Sequence, residues 1–222
     1  MTKIPLKWSG VCALLLAIPS VALAGTMMDE ITSVQQEQVK KGTQVLITED
    51  VVGNAWPRVK VYRVVNATPE EMAAVFFDFN NAKDFVPNVL KSDISKKVSP
   101  TVLEVDYGID IPILPDEYYT TRNTLMVLPG GGYEVDWKLL RAVQTKDSVG
   151  KLRMVPYGDG KTLICYQNLV TPGSVMAGLL RGKAIEQMRD SVQAIALHVE
   201  KEKTCDPAAL KCQVAAFQEI LK

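Results

Sequence analysis

The sequence predicts an α+β fold in which a curved antiparallel sheet closes around one long C-terminal helix, and three observations carry that prediction. From Val89 to Val170, runs of β-forming residues recur about every ten positions with turn signals between them, the mark of an antiparallel meander. After the last run, Ile185, Met188, Val192, Ile195 and Val199 recur at steps of 3, 4, 3 and 4, which is the apolar stripe of an amphipathic helix. Ahead of the meander, NATPEEMAAVFFDFNNAKDFVPNV (66–89) opens a separate helix. Thr68 is its N-cap, Pro69 its first residue, and Glu71 completes a capping box.

The elements follow in order. Lys3 and Lys7 precede the apolar run VCALLLAIPSVALA, which ends in the small-x-small site Ala22-Leu23-Ala24, so residues 1–24 read as a secretory leader cleaved after Ala24. Pro19 breaks the run and no cysteine follows the cleavage site, which argues against a retained membrane or lipid anchor. The expected address is the periplasm or the cell exterior. Residues 25–57 form an N-terminal extension, with one short amphipathic helix over Met27 to Lys41 and a strand in QVLITEDV. PRVKVYRVV is a second strand, in which Val59, Val61 and Arg63 alternate with Lys60, Tyr62 and Val64.

The capped helix then runs from Pro69 to Phe79 and turns Met72, Val75, Phe76 and Phe79 to one side. A short helix over Ala82 to Phe85 stops at Pro87. Six strands follow: VLKSDISKKV, TVLEVDYGI, EYYTTRNTLMVL, GYEVDWKLL, VGKLRMVPY and KTLICYQNLV. The fourth alternates most clearly, with Tyr133, Val135, Trp137 and Leu139 on a dry face and Glu134, Asp136 and Lys138 on a wet one. PGGGY lies between two strands and lacks the lysine and helix of a phosphate loop, so it reads as a hairpin turn. The long helix begins near Ser174 or Val175.

Removal of the leader takes two lysines and leaves 23 basic and 25 acidic side chains, a net charge near −2. With no basic stripe interleaved with aromatics, nucleic acid is not an expected partner. No histidine or cysteine cluster has metal-ligand spacing, no nucleophile elbow occurs, and neither a cofactor nor a catalytic residue is expected. The single histidine, His198, lies near the end of the long helix and reads as a favourable dipole contact. Cys205 and Cys212 are a disulfide candidate for an oxidising compartment, the alternative being a redox pair without the C-x-x-C spacing. A continuous helix would hold them ~10 Å apart, too far to bridge. Asp206-Pro207, however, reads as the start of a new helix, so that the chain can fold back.

The element order and the stretch VNATPEEMAAVFFDFNNAKDFVPNV resemble the START-like helix-grip superfamily, which includes lipid-transfer, polyketide cyclase/aromatase and coenzyme Q-binding branches. The matching features are Thr68-Pro69 at the helix start, Asp78 at its close, Phe85-x-Pro87 leading into the next strand, and the long helix after VTPGS. The domain so delimited runs from residue 58 to 203, leaving 204–222 as a helical tail. The resemblance implies an apolar tunnel between sheet and C-terminal helix that holds a hydrophobic small molecule or lipid.

On that fold the candidate ligand-binding residues are Leu103, Val105 and Tyr107 on one strand, and Tyr133, Val135, Trp137 and Leu139 on another. Met188, Val192 and Ile195 on the long helix complete the apolar set. Arg122 and Arg153 are candidates to face inward and hold a polar headgroup, the competing reading being that both face water. Val175, Met176, Leu179 and Leu180, in a segment with three glycines, are expected to form a gate that touches a membrane surface transiently. The leading functional expectation is a binding or transfer protein. The alternatives are a cyclase/aromatase-like enzyme and an interaction module with a filled core.

Overall fold

The computed structural model describes residues 21–111, 115–173 and 180–222. Eight strands form one antiparallel sheet in the order β1-β2-β8-β7-β6-β5-β4-β3. The strands are β1 (Val45–Glu49), β2 (Arg58–Val65), β3 (Val89–Ser99), β4 (Val102–Ile109), β5 (Glu117–Leu128), β6 (Gly132–Ala142), β7 (Thr145–Pro156) and β8 (Thr162–Pro172). Among the described residues the helices are α1 (Val21–Met28), α2 (Ser33–Lys40), α3 (Pro69–Phe77), α4 (Ala82–Phe85), α5 (Arg181–Cys205) and α6 (Pro207–Ile220), with a 3-10 turn at Phe79–Asn81. The meander therefore runs strand to neighbouring strand from β3 to β8, and β2 then pairs with β8 to extend the sheet.

Local chemistry explains the element ends. Thr68 Oγ1 accepts from the Glu71 amide while the Glu71 carboxylate accepts from the Thr68 amide, so α3 starts with both halves of its capping box made. The helix stops at Phe77 with Asp78 as its C-cap, two residues earlier than the apolar spacing suggests, and Phe79 begins the 3-10 turn. The N-terminal extension holds two helices rather than one. Thr32 and Gln35 form a second capping box that restarts the chain as α2, a T-x-x-Q signal present in the sequence. The glycine-rich segment is a hairpin turn, with Gly130 at φ 78° and Gly131 at φ 83°, a left-handed conformation that suits glycine.

The sheet is covered on both faces. On its inner face α5 packs Val192, Ile195, Ala196 and Val199 against Val59, Val61, Val105, Val135 and their neighbours. On the opposite face α1, α2 and the link between them lay Met27, Met28, Ile31 and Val39 over Tyr62, Val155, Leu163 and Cys165. That second core explains why β8 is apolar on both sides, Leu163 and Cys165 on one and Ile164 on the other. Burial there pushes the Cys165 thiol up to about 11.

The tail after residue 203 is part of this packing. Asp206 caps α6 by accepting from the Ala209 amide at 3.1 Å. Phe217 is 2% exposed and meets Phe77 and Tyr133 edge-to-face, with ring centroids 6.4 and 5.3 Å away. Because α6 covers a second side of α3, Phe77 is buried along with the expected Met72 and Val75. The Cys205–Cys212 disulfide is not formed. Cys205 ends α5, Cys212 lies within α6, and both thiols are free and exposed, so the turn at Asp206 does not bring them into a bridge.

Replacing Phe217 by alanine opens a cavity between α3, α6 and β6. It should lower unfolding free energy by about 3–5 kcal/mol, measured by urea denaturation. A loss under 1 kcal/mol would mean that α6 is a loosely attached appendage.

Candidate functional site

Between the inner face of the sheet and the first half of α5 the packing leaves two adjoining chambers. The inner one, about 180 Å³, is walled by Phe76, Phe79, Phe85, Tyr107, Trp137 and Tyr166. The outer one, about 240 Å³, is lined by Trp56, Ile111 and Leu180, with Leu139, Met188 and Val170 along its sides. Val89, Ile109, Tyr119, Tyr166, Asn168 and Ser191 belong to both.

Each wall follows from strand phase. On β5, Glu117, Tyr119, Thr121 and Asn123 face inward, and on β8 so do Tyr166 and Asn168. The indole of Trp137 lies 5.2 Å from the Tyr166 ring and 6.4 Å from that of Phe76, and its Nε1 donates to Asn168 Oδ1 at 3.3 Å. Gly150 sits directly opposite Trp137 in the ladder. A β-carbon there would collide with the indole and with the Gln167 carbonyl, so the glycine lets the indole lie against β7. Tyr107 and Tyr119 stack with centroids 5.2 Å apart.

Polar groups are organised by depth. In the outer chamber, the buried Glu117 carboxylate accepts from the Val143 amide at 3.1 Å and from the Gln144 amide at 3.0 Å, tying the β6–β7 turn to the start of β5. Its oxygens are occupied by that turn rather than offered to the cavity. Deeper in, burial drives the phenols of Tyr107, Tyr119 and Tyr166 above the ordinary tyrosine range, so all three are neutral donors at physiological pH. Phe85 also stacks on His198, rings 3.9 Å apart, and His198 meets Glu202 at 3.2 Å. The histidine thus braces α4 from two turns inside α5 rather than serving the helix terminus. Among the described residues, no group of three or more His, Cys, Asp or Glu side chains is disposed to hold a metal ion.

The structure distributes the candidate residues among several places. Tyr107, Trp137 and Ile195 line the inner chamber, and Leu139 and Met188 the outer one. Val105, Tyr133, Val135 and Val192 belong to the filled core, and Leu103 adjoins a groove between α6 and the β3–β4 hairpin. Arg122 and Arg153 must be corrected, because both lie on the outer face of the sheet. Arg122 pairs with Glu104 at 2.6 Å and Arg153 with Glu134 at 2.7 Å, each directly across its strand ladder. The period of two places them opposite the inward-facing Thr121, Asn123, Leu152 and Met154. Of the gate residues, Leu180 lines the outer chamber, whereas Val175, Met176 and Leu179 lie outside the described residues.

Sequence reasoning missed Tyr166, Asn168 and Ser191, and singled out Tyr119 only as a residue to test under the enzyme alternative, not as a cavity wall. The alternation of Tyr119, Thr121 and Asn123 was present, but polar residues occupy both phases of β5 and no dry face stands out. Tyr166 and Asn168 were hidden because β8 is apolar on both sides.

No protein-family model and no curated protein matches the sequence. Solved structures do. A STAR-related lipid transfer protein from Xanthomonas axonopodis superposes with a TM-score of 0.63 at 16% identity, over 70% of this chain and 93% of that one. Human StAR-related lipid transfer protein 5 gives 0.56 at 10% identity, over 81% and 98%. A START superfamily protein from Mycobacterium smegmatis gives 0.52 at 15% identity, over 65% and 97%. The fold is the START-like helix-grip fold.

Two measurements test this geometry. Replacing Glu117 by alanine strands the amides of the β6–β7 turn and should cost about 2 kcal/mol or more in urea unfolding, while the glutamine variant keeps an acceptor and loses less. The raised phenols also set an alkaline limit. Below the unfolded value near 10 the tyrosines are protonated in both states, and above it the unfolded chain loses protons first, so stability falls from about pH 10 upward. The drop between pH 9 and pH 11 should shrink when Tyr107, Tyr119 and Tyr166 are changed together to phenylalanine. An unchanged drop would mean that these phenols are not enclosed.

Proposed function

We propose that this chain is a binding or transfer protein that encloses a hydrophobic, lipid-like small molecule between the sheet and α5. One observation carries the reading: the inner face is packed tightly along the second half of α5, yet two connected chambers walled by aromatic and aliphatic groups stay unfilled along its first half. Together they approach the few hundred Å³ typical of small-molecule sites, about 300–1,000 Å³. Burying about 400 Å² of ligand surface supplies on the order of 10 kcal/mol before ordering costs, enough for useful affinity without covalent chemistry. The names of the structural relatives, two of which are lipid transfer proteins, agree with this reading.

The protein acts in the periplasm or outside the cell, after removal of residues 1–24. Ligand passes through the mouth bordered by Trp56, Ile111 and Leu180, in transient contact with a membrane surface.

Native mass spectrometry of the protein purified from its own compartment should show a bound species that organic extraction releases, on a chain beginning at Gly25. Ser191 lies where the chambers meet. Ser191→Trp should keep the fold by circular dichroism and abolish the bound mass. An unliganded wild-type mass, or a bound species that survives in Ser191→Trp, would overturn the reading.

A further inference from the structure

The two chambers differ in chemistry. Among the described residues lining the inner chamber, none is an acid or a base; its polar groups are phenols, hydroxyls and the amides of Asn123 and Asn168. The charged residues of the site, Glu117 and Lys183, line only the outer chamber. The inner walls are also unusually flat. Phe76, Trp137 and Tyr166 form one run of ring contacts and Tyr107 and Tyr119 another, so the space between them is bounded by faces and edges of rings.

One polar group in this setting lies where the two chambers meet. Ser148 Oγ and Trp137 Nε1 both direct hydrogen bonds to Asn168 Oδ1, and Asn123 Nδ2 donates to Thr121 Oγ1. Tyr119 lies on both chambers, and among the described residues no hydrogen bond satisfies its hydroxyl. Tyr119 is only partly buried, and its hydroxyl is free to donate to an oxygen on an occupant of the cavity.

We infer that the inner chamber receives an uncharged ring system bearing a hydroxyl or carbonyl oxygen, inserted ring-first with that oxygen against the Tyr119 hydroxyl, while charged or flexible parts of the ligand remain in the outer chamber. The inference rests on the ligand-binding reading above and narrows it to a class. Flat rings match the aromatic walls and lose little conformational freedom on entry, whereas an acyl chain loses more. A carboxylate or ammonium placed inside would be desolvated with no counter-charge. The neutrality of the phenols, which burial enforces, makes Tyr119 a donor to oxygen rather than a partner for a cation.

Equilibrium dialysis of the purified protein at pH 7 against naphthalene, 2-naphthol, 2-naphthoate and 1-decanol tests each part. The expected order places 2-naphthol first, about five- to tenfold tighter than naphthalene, the contribution of one hydrogen bond. 2-Naphthoate should be weaker than 2-naphthol by at least about tenfold, the cost of burying its charge. 1-Decanol, neutral but without a ring, should also fall behind. Tyr119→Phe should bring 2-naphthol and naphthalene to equal affinity, with the fold checked by thermal melting. Tyr118→Phe, an exposed neighbour in the opposite phase of β5, should leave the ratio unchanged. Decanol binding as tightly as naphthol, naphthoate binding equally well, or a naphthol-to-naphthalene ratio that survives in Tyr119→Phe would each overturn the inference. If none of these probes binds but organic extraction yields a bound lipid, the inference fails and the ligand-binding reading stands. If neither occurs, the ligand-binding reading fails as well.

Discussion

The long helix α5, with α3, α4 and α6 beside it, covers the inner face of an eight-stranded sheet, and the size of its side chains along that length decides what the molecule contains. In its second half α5 offers Val192, Ile195, Ala196 and Val199, which interlock with Val59, Val61, Val105 and Val135 and exclude space. In its first half the groups over the sheet include Ala184 and Ser191, too small to reach the aromatic residues opposite. Helix and sheet cannot close further there, because the packed half holds them apart. The cavity follows from this graded covering, and the other elements of the inner face wall it or prop it open.

The props are specific. Gly150 lets Trp137 lie against β7, and the indole in turn orders Asn168 through its hydrogen bond. Glu117 fastens the β6–β7 turn at the mouth, where a loose turn would let water or side chains into the outer chamber. His198 stacks on Phe85 and keeps α4 seated over the inner chamber. At the far end, Phe217 closes the packed half from α6. A charge-free inner chamber beside a rim with charged groups follows from the same layout, since the rim is built from strand ends and the start of α5, where water can solvate an ion.

The outer face tells a complementary story about the polar residues. Arg122 and Arg153 stood out in the sequence because arginine is uncommon among β-forming neighbours. Their cross-strand partners Glu104 and Glu134 come from other strands, at positions about twenty residues away that only the register identifies. The same pleat that turned these charges outward turned Tyr119, Thr121 and Asn123 inward. A strand with polar residues in both phases gives no hint of which side will be enclosed, and for that reason the groups most useful to a ligand were the hardest to read.

The sequence by itself determined the α+β class, the capped α3, the hairpin at Gly130-Gly131, the strands of the meander and the long amphipathic helix, because caps, turns and periodicity are set by neighbours within a few residues. Several cavity residues were also legible as members of dry stripes, among them Tyr107, Trp137, Leu139, Met188 and Ile195. Only the tertiary structure decided which dry residues face empty space and which fill the core, that α1 and α2 cover the outer face, that α6 completes the packing, and that Cys205 and Cys212 stay apart. Those outcomes depend on the distance between surfaces brought together from remote parts of the chain. Periodicity reports which way a side chain points, and it carries no information about how far away the opposing wall will be.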